Sequence, residues 1–157
     1  MKRLGIILLV LFAVAGILAG CTGDEEAPAS LTAAEVGERI LQAADLPGMK
    51  PGDQEKLQKL YHIEPSIVED FILYTASSNV KAEELAVIQV NDANEVDHVL
   101  EKVQERIQTQ SVKFKDYRPE EYYLLDKHIL KAKGRFVLFA VSKEAGQMER
   151  AFDDALE

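Results

Sequence analysis

Cysteine is almost absent from this sequence: Cys21 is the only one. Tryptophan is missing altogether, and histidine occurs three times, at His62, His98 and His128. One thiol cannot close a disulfide within the chain, so the fold must hold through its core alone. No histidine has a partner at a ligand spacing such as four residues along a helix, so we expect no metal site and no cofactor. Positive charge is also scarce, with 27 acidic against 18 basic residues and a formal net charge of −9. That balance argues against nucleic acid as a partner, since binding it needs a basic face. No polybasic segment is present to lay the chain flat on anionic lipid.

Long apolar runs are equally scarce, with one exception. Met1, Lys2 and Arg3 open the chain with two positive charges, and residues 4–20 follow as an apolar stretch. A basic start, an apolar stretch and a small-residue boundary are the parts of a secretory signal. The stretch ends in Leu18, Ala19, Gly20 and Cys21, which resembles the lipobox of bacterial lipoproteins. The resemblance implies that diacylglycerol is attached to the Cys21 thiol and that the chain is cut between Gly20 and Cys21. An uncleaved span would need about 20 apolar residues, and this run is slightly shorter. One acyl chain holds a protein only marginally, whereas two give stable retention. The sequence therefore predicts a signal at 1–20, a lipidated Cys21 opening a small, polar tether over 21–30, and a single globular domain over 31–157. The expected location is the outer face of the cell membrane, with lipid on Cys21 as the contact to the bilayer.

Without the first 20 residues the chain keeps 137 of its 157 residues. Loss of Lys2 and Arg3 takes its charge from −9 to about −11. A domain of that size buries roughly two-thirds of its unfolded surface. The acid is dispersed in pairs, including Glu69-Asp70, Glu83-Glu84, Glu120-Glu121 and Asp153-Asp154. Such pairs are expected on solvated faces and at helix starts.

Periodicity predicts an α+β fold. Thr32 and Glu35 form a capping box for a helix carrying Val36, Ile40, Leu41 and Ala44 inward. A short helix is expected over 54–61, and Pro65 breaks the pattern. Residues 71–75 and 85–90 read as strands joined by a polar connection over 76–84. Asp92 and Glu95 cap a helix whose Val96, Leu100, Val103 and Ile107 share one face. Pro119 fits the first position of a further short helix, with Glu120 and Glu121 near its positive end. Residues 129–133 and 136–141 form a hairpin with Gly134 in the turn. A last helix buries Met148, Phe152 and Ala155. The chain thus reads strand, strand, helix twice, which predicts a four-stranded antiparallel sheet with helices packed mainly on one face. The strand over 136–141 is apolar on both sides, so its second face needs a cover. The first helix and the segment of Leu57, Leu60 and Tyr61 are the expected cover, with a dimer as the alternative.

A catalytic set is not apparent. Ser78 and Lys81 match Ser-x-x-Lys, but the partner motifs Ser-Asp-Asn and Lys-Thr-Gly are missing. Asp92 begins a stretch faintly like a calcium loop, yet Asp97 and Val103 stand where that loop needs Gly and Glu. The expectation is a protein that is not an enzyme. The candidates for binding are Ser78, Asn79 and Lys81 in the polar connection, with Tyr117 and Tyr122. These tyrosines group in sequence with Phe114 and Tyr123, which favours a small core with wet hydroxyls. The function expected is a non-catalytic binding or assembly component of the cell envelope, engaging an envelope protein or a small ligand. The alternatives are a ligand carrier using the apolar sheet face, or an envelope enzyme without a recognisable motif.

Four blocks carry a family resemblance. They are Leu60-Tyr61-His62-Ile63-Glu64-Pro65, Ser78-Asn79-Val80-Lys81-Ala82-Glu83-Glu84, the run from Phe114 to Tyr122, and Lys133-Gly134 before Phe136-Val137-Leu138-Phe139. Together they resemble an uncharacterised lipoprotein family of Gram-positive bacteria, mostly Firmicutes: the domain-of-unknown-function family numbered four-three-five-eight. The likeness spans most of residues 49–156. It implies a cell-surface lipoprotein and carries over no catalytic residues.

Overall fold

A computed structural model describes residues 31–157. The expected signal, the expected Gly20–Cys21 cleavage site and the expected tether lie outside the described residues. The first helix, α1 (Ala33–Ala43), starts where the capping box predicts. The Thr32 hydroxyl accepts from the Glu35 N–H, and the Glu35 carboxylate accepts from the Thr32 N–H at 2.8 Å. β1 (Met49–Pro51), α2 (Gln54–Tyr61), β2 (Val68–Ala76), β3 (Glu84–Val90), α3 (Val96–Phe114), α4 (Pro119–Asp126), β4 (Ile129–Lys133), β5 (Phe136–Val141) and α5 (Ala145–Ala155) follow. No helix among the described residues is long and apolar enough to cross a membrane.

The fold is α+β with one antiparallel sheet, but the sheet has five strands in the order β1-β2-β3-β5-β4, not four. The additional strand is β1, which pairs Met49 with Ala76 and Pro51 with Tyr74. It escapes sequence reading because three residues ending in proline show no alternation; proline is tolerated there because the strand lies at an edge.

Helices also cover both faces of the sheet, correcting the one-sided arrangement expected from the sequence. α1 and α5 pack on Leu85, Val87, Leu138 and Ala140. α2, α3 and α4 pack on Ala86, Ile88, Val137 and Phe139. Both central strands are therefore buried along their whole length, which is why β5 reads as a continuous apolar run and β3 does so over residues 85–88. The two expected covers do cover the sheet, but from opposite sides. The helices after β3 and β5 also fall on opposite faces. Adjacent antiparallel strands are related by a rotation about the sheet normal, which would put both helices on one face. The two strand-strand-helix units are thus of opposite hand and do not repeat in space.

Two glycines set close geometry. A Cβ on Gly37 would lie 2.6 Å from Ile72 Cδ1, so any larger residue would make the Ile72 side chain shift where α1 settles on β2. Gly134 has φ of +59°, and Lys133 pairs directly with Phe136. A two-residue loop with glycine first fits a type II′ turn, whose twist suits the hairpin.

Candidate functional site

The β2–β3 connection, α2 and α3 enclose the most elaborate polar arrangement among the described residues. It begins at Glu84, the first residue of β3, which is 2 % exposed. Strand alternation points Glu84 inward with Ala86 and Ile88. Arg106 reaches it from α3, with Nε at 3.2 Å from Oε1 and Nη2 at 2.8 Å from Oε2. The Tyr61 hydroxyl, from the last turn of α2, donates to the same carboxylate. A buried carboxylate is costly unless paired and hydrogen-bonded, and this one receives a guanidinium fork and a phenol. Burial, followed by the negative charge of Glu84, pushes the Tyr61 ionisation well above its ordinary value of 10.0. Burial works against the Arg106 charge, but the hydrogen bond and charge of Glu84 outweigh it and raise its pKa further.

A second buried carboxylate braces the connection itself. Glu121, in the first turn of α4, is 2 % exposed. It accepts from the Ala82 N–H at 2.8 Å and from Lys81 Nζ at 2.6 Å. That hydrogen bond and the charge of Glu121 raise the Lys81 pKa. Glu84 and Glu121 correct the expectation for the acid pairs, because the second member of each of these two is buried.

Above the Glu84 network lies a cleft of about 200 Å³. Ser78, Asn79 and Lys81 line it, together with Lys56, Arg106 and Lys113. The structure thus brings three of the five candidate residues to one cleft. Tyr117 and Tyr122 do not line it. Tyr117 is 83 % exposed in the turn after α3, whereas Tyr122 is half-buried against the core. The aromatic group divides in the same way: Phe114 is buried, and Tyr123 is exposed.

Chemically the cleft offers charge and hydrogen bonds. Ser78 lies in a turn, where its carbonyl accepts from the Lys81 N–H at 3.2 Å. A Ser-x-x-Lys mechanism needs the serine at a helix start and an available lysine base. Here Lys81 is held as a cation by Glu121. Among the described residues there is no group of three or more potential metal ligands. His128 places Nδ1 2.7 Å from the Leu125 carbonyl and packs beside Phe139, and His62 caps the end of α2.

Sequence reasoning missed the network of Tyr61, Glu84 and Arg106. The signal was present in the helix period. Val99, Val103, Arg106 and Gln110 recur at spacings of four, three and four, so Arg106 continues the buried stripe of α3.

Residues 42–142 match the model of a family described as a domain of unknown function, DUF4358. The chain belongs to that family. The match begins near the end of α1 and stops just after β5, so it takes in the whole sheet and the cleft. Neither the curated proteins nor the solved structures contain a match to this chain.

Proposed function

We propose that this DUF4358 protein is an extracytoplasmic lipoprotein, anchored to the membrane through Cys21, that serves the cell envelope as a non-catalytic binding component. It engages its ligand at the cleft between the β2–β3 connection, α2 and α3. The observation that carries this reading is the bracing of that cleft. Two buried carboxylates, Glu84 and Glu121, hold its floor and its loop in place before any ligand arrives. Preorganisation of this kind lowers the ordering cost of binding. The engagement of Lys81 by Glu121 favours binding over nucleophilic chemistry. The two-sided apolar strand β5, which raised a dimer or an apolar ligand as alternatives, is met within the chain by α1 and α5 on one side and α3 on the other.

The test places a photo-crosslinking side chain at Asn79 in cells, with a second probe at the exposed Glu38 on α1 as comparison. The expected outcome is a defined adduct from position 79 that is absent from position 38. It should be lost with the Cys21→Ala change, which removes the protein from the membrane. Equal labelling at both positions, or normal membrane retention of the Cys21→Ala protein, overturns the corresponding half of the reading.

A further inference from the structure

The cleft beside the Glu84 network has a neighbour. A second cleft of about 270 Å³ lies between α2 and α3 and shares Leu60 and Arg106 with the first. Across the two, six cationic side chains line the surface: Lys56, Lys59, Lys81, Lys102, Arg106 and Lys113. Glu83, Glu84 and Glu105 oppose them from the lining, and Glu121 from beneath Lys81, which leaves six cations against four carboxylates. The groove is therefore basic in a chain whose net charge is −9. Local focusing of this kind in a concave site raises the concentration of an oppositely charged ligand.

The pairing within the groove matters more than the count. Arg106 is taken up by Glu84, Lys81 by Glu121 and Lys102 by Glu105. Lys56, Lys59 and Lys113 form no ion pair among the described residues. Lys56 instead donates to the Thr75 hydroxyl at 2.5 Å, and Lys113 lies 4.9 Å from the Phe114 ring centroid. Neither contact neutralises a charge. Ser77, Ser78 and Asn79 add uncharged donors at the mouth of the first cleft.

We propose that this groove binds a ligand bearing several phosphate groups. The inference rests on the binding reading above and supplies its ligand class. Phosphate is favoured over carboxylate because the unpaired groups are ammonium point charges. The one guanidinium fork, which would suit a carboxylate, is already occupied by Glu84. The concave shape favours a soluble phosphate chain over the flat surface of a bilayer. A lipid headgroup offers the same chemistry, so the test separates the two.

The full-length protein in nonionic detergent is titrated with tripolyphosphate and with inorganic phosphate, by calorimetry at low and high salt. Tripolyphosphate should bind at least about tenfold more tightly than phosphate, and its affinity should fall as salt is raised. The double change Lys56→Gln with Lys113→Gln should weaken tripolyphosphate about tenfold or more. Lys115→Gln with Lys127→Gln removes the same charge from exposed positions outside both clefts and should change affinity about twofold at most. Circular dichroism confirms that both variants fold. No binding of tripolyphosphate, or an equal loss in the two double variants, overturns the proposal. It is also overturned if phosphatidylglycerol vesicles bind through Lys56 and Lys113 while tripolyphosphate fails to compete. A specific adduct at position 79 with no tripolyphosphate binding would leave the binding reading standing and remove only the phosphate class.

Discussion

The two sides of the sheet are built differently. On the side of α1 and α5 the packed residues are almost wholly apolar, including Val36, Ile40, Met148 and Phe152. Its buried polar side chain, Gln89, is used on backbone: it accepts from the Ala33 N–H at 3.1 Å and donates to the Leu31 carbonyl at 3.2 Å. The side of α2, α3 and α4 holds the other four buried polar residues, Thr75, Glu84, Gln110 and Glu121. It also holds both basic clefts. Apolar layers give stability at low risk, whereas buried polar networks cost desolvation and must be fully satisfied. Among the described residues no buried side-chain polar atom lacks a partner. The difference between the two sides suggests a division of labour: one layer holds the fold, and the other spends part of that stability on a shaped, charged site.

The largest test of that division is Phe152→Ala. Phe152 is fully buried on the apolar side, and truncating such a residue costs about 3–5 kcal/mol. Denaturant unfolding should show that loss, while tripolyphosphate affinity of the still-folded protein stays unchanged. A loss below about 1 kcal/mol would mean that the apolar layer is not the main support of the fold.

On the other side the corresponding change is Arg106→Met. It leaves the Glu84 carboxylate buried without its counter-charge, which costs about 3 kcal/mol. The sharper measurement is the double variant with Glu84→Gln. Removing the charge as well as its partner should recover about 1–2 kcal/mol of the loss. Additive effects in the cycle would show that the two groups do not act as a pair. This behaviour has no counterpart on the apolar side, where a second truncation only enlarges a cavity.

The contrast also explains what could be read beforehand. α1, α3 and α5 were legible because each presents a helical stripe, as with Val36 and Ile40, or Met148 and Phe152, although Leu41, expected inward, lies at the exposed margin of α1. The β4–β5 hairpin was legible because Gly134 supplies the turn. The two-faced character of β5 was visible in its composition, but not which helices would cover it. That depends on the crossing of chains far apart in sequence, and α1 and α2 went to opposite sides. Site residues were legible only where polarity breaks the apolar pattern, as at Ser78, Asn79 and Lys81. Arg106 was hidden because a charged residue inside an apolar period reads as an exception, and Glu84 because the sequence places it at the end of the polar connection, whereas it opens β3. Here Arg106 is the part of the period that carries the buried ion pair. Tyr117 and Tyr122 were grouped by sequence proximity alone, and the turn after α3 sends one outward and the other against the core.

The smallest effect tests the last member of the network. Tyr61→Phe removes one hydrogen bond to Glu84 and leaves both Arg106 contacts, so it should cost about 1–2 kcal/mol near neutral pH. The pH dependence separates this from simple packing. The Tyr61 ionisation is raised above 10.0 in the folded protein. In the unfolded chain the phenol loses its proton near its ordinary value, while the folded one keeps it. Its contribution is therefore fully present below about pH 10 and is lost as pH rises from there toward the folded value. Lys81, whose pKa is raised from 10.5, adds a loss in the same direction, but it is common to both proteins. Unfolding measured from pH 8 upward should thus show a shallower alkaline decline for Tyr61→Phe than for the natural chain. Parallel declines would mean that the phenol is not held neutral by its burial against the Glu84 carboxylate, and the Glu84 network would then rest on its pair with Arg106 alone.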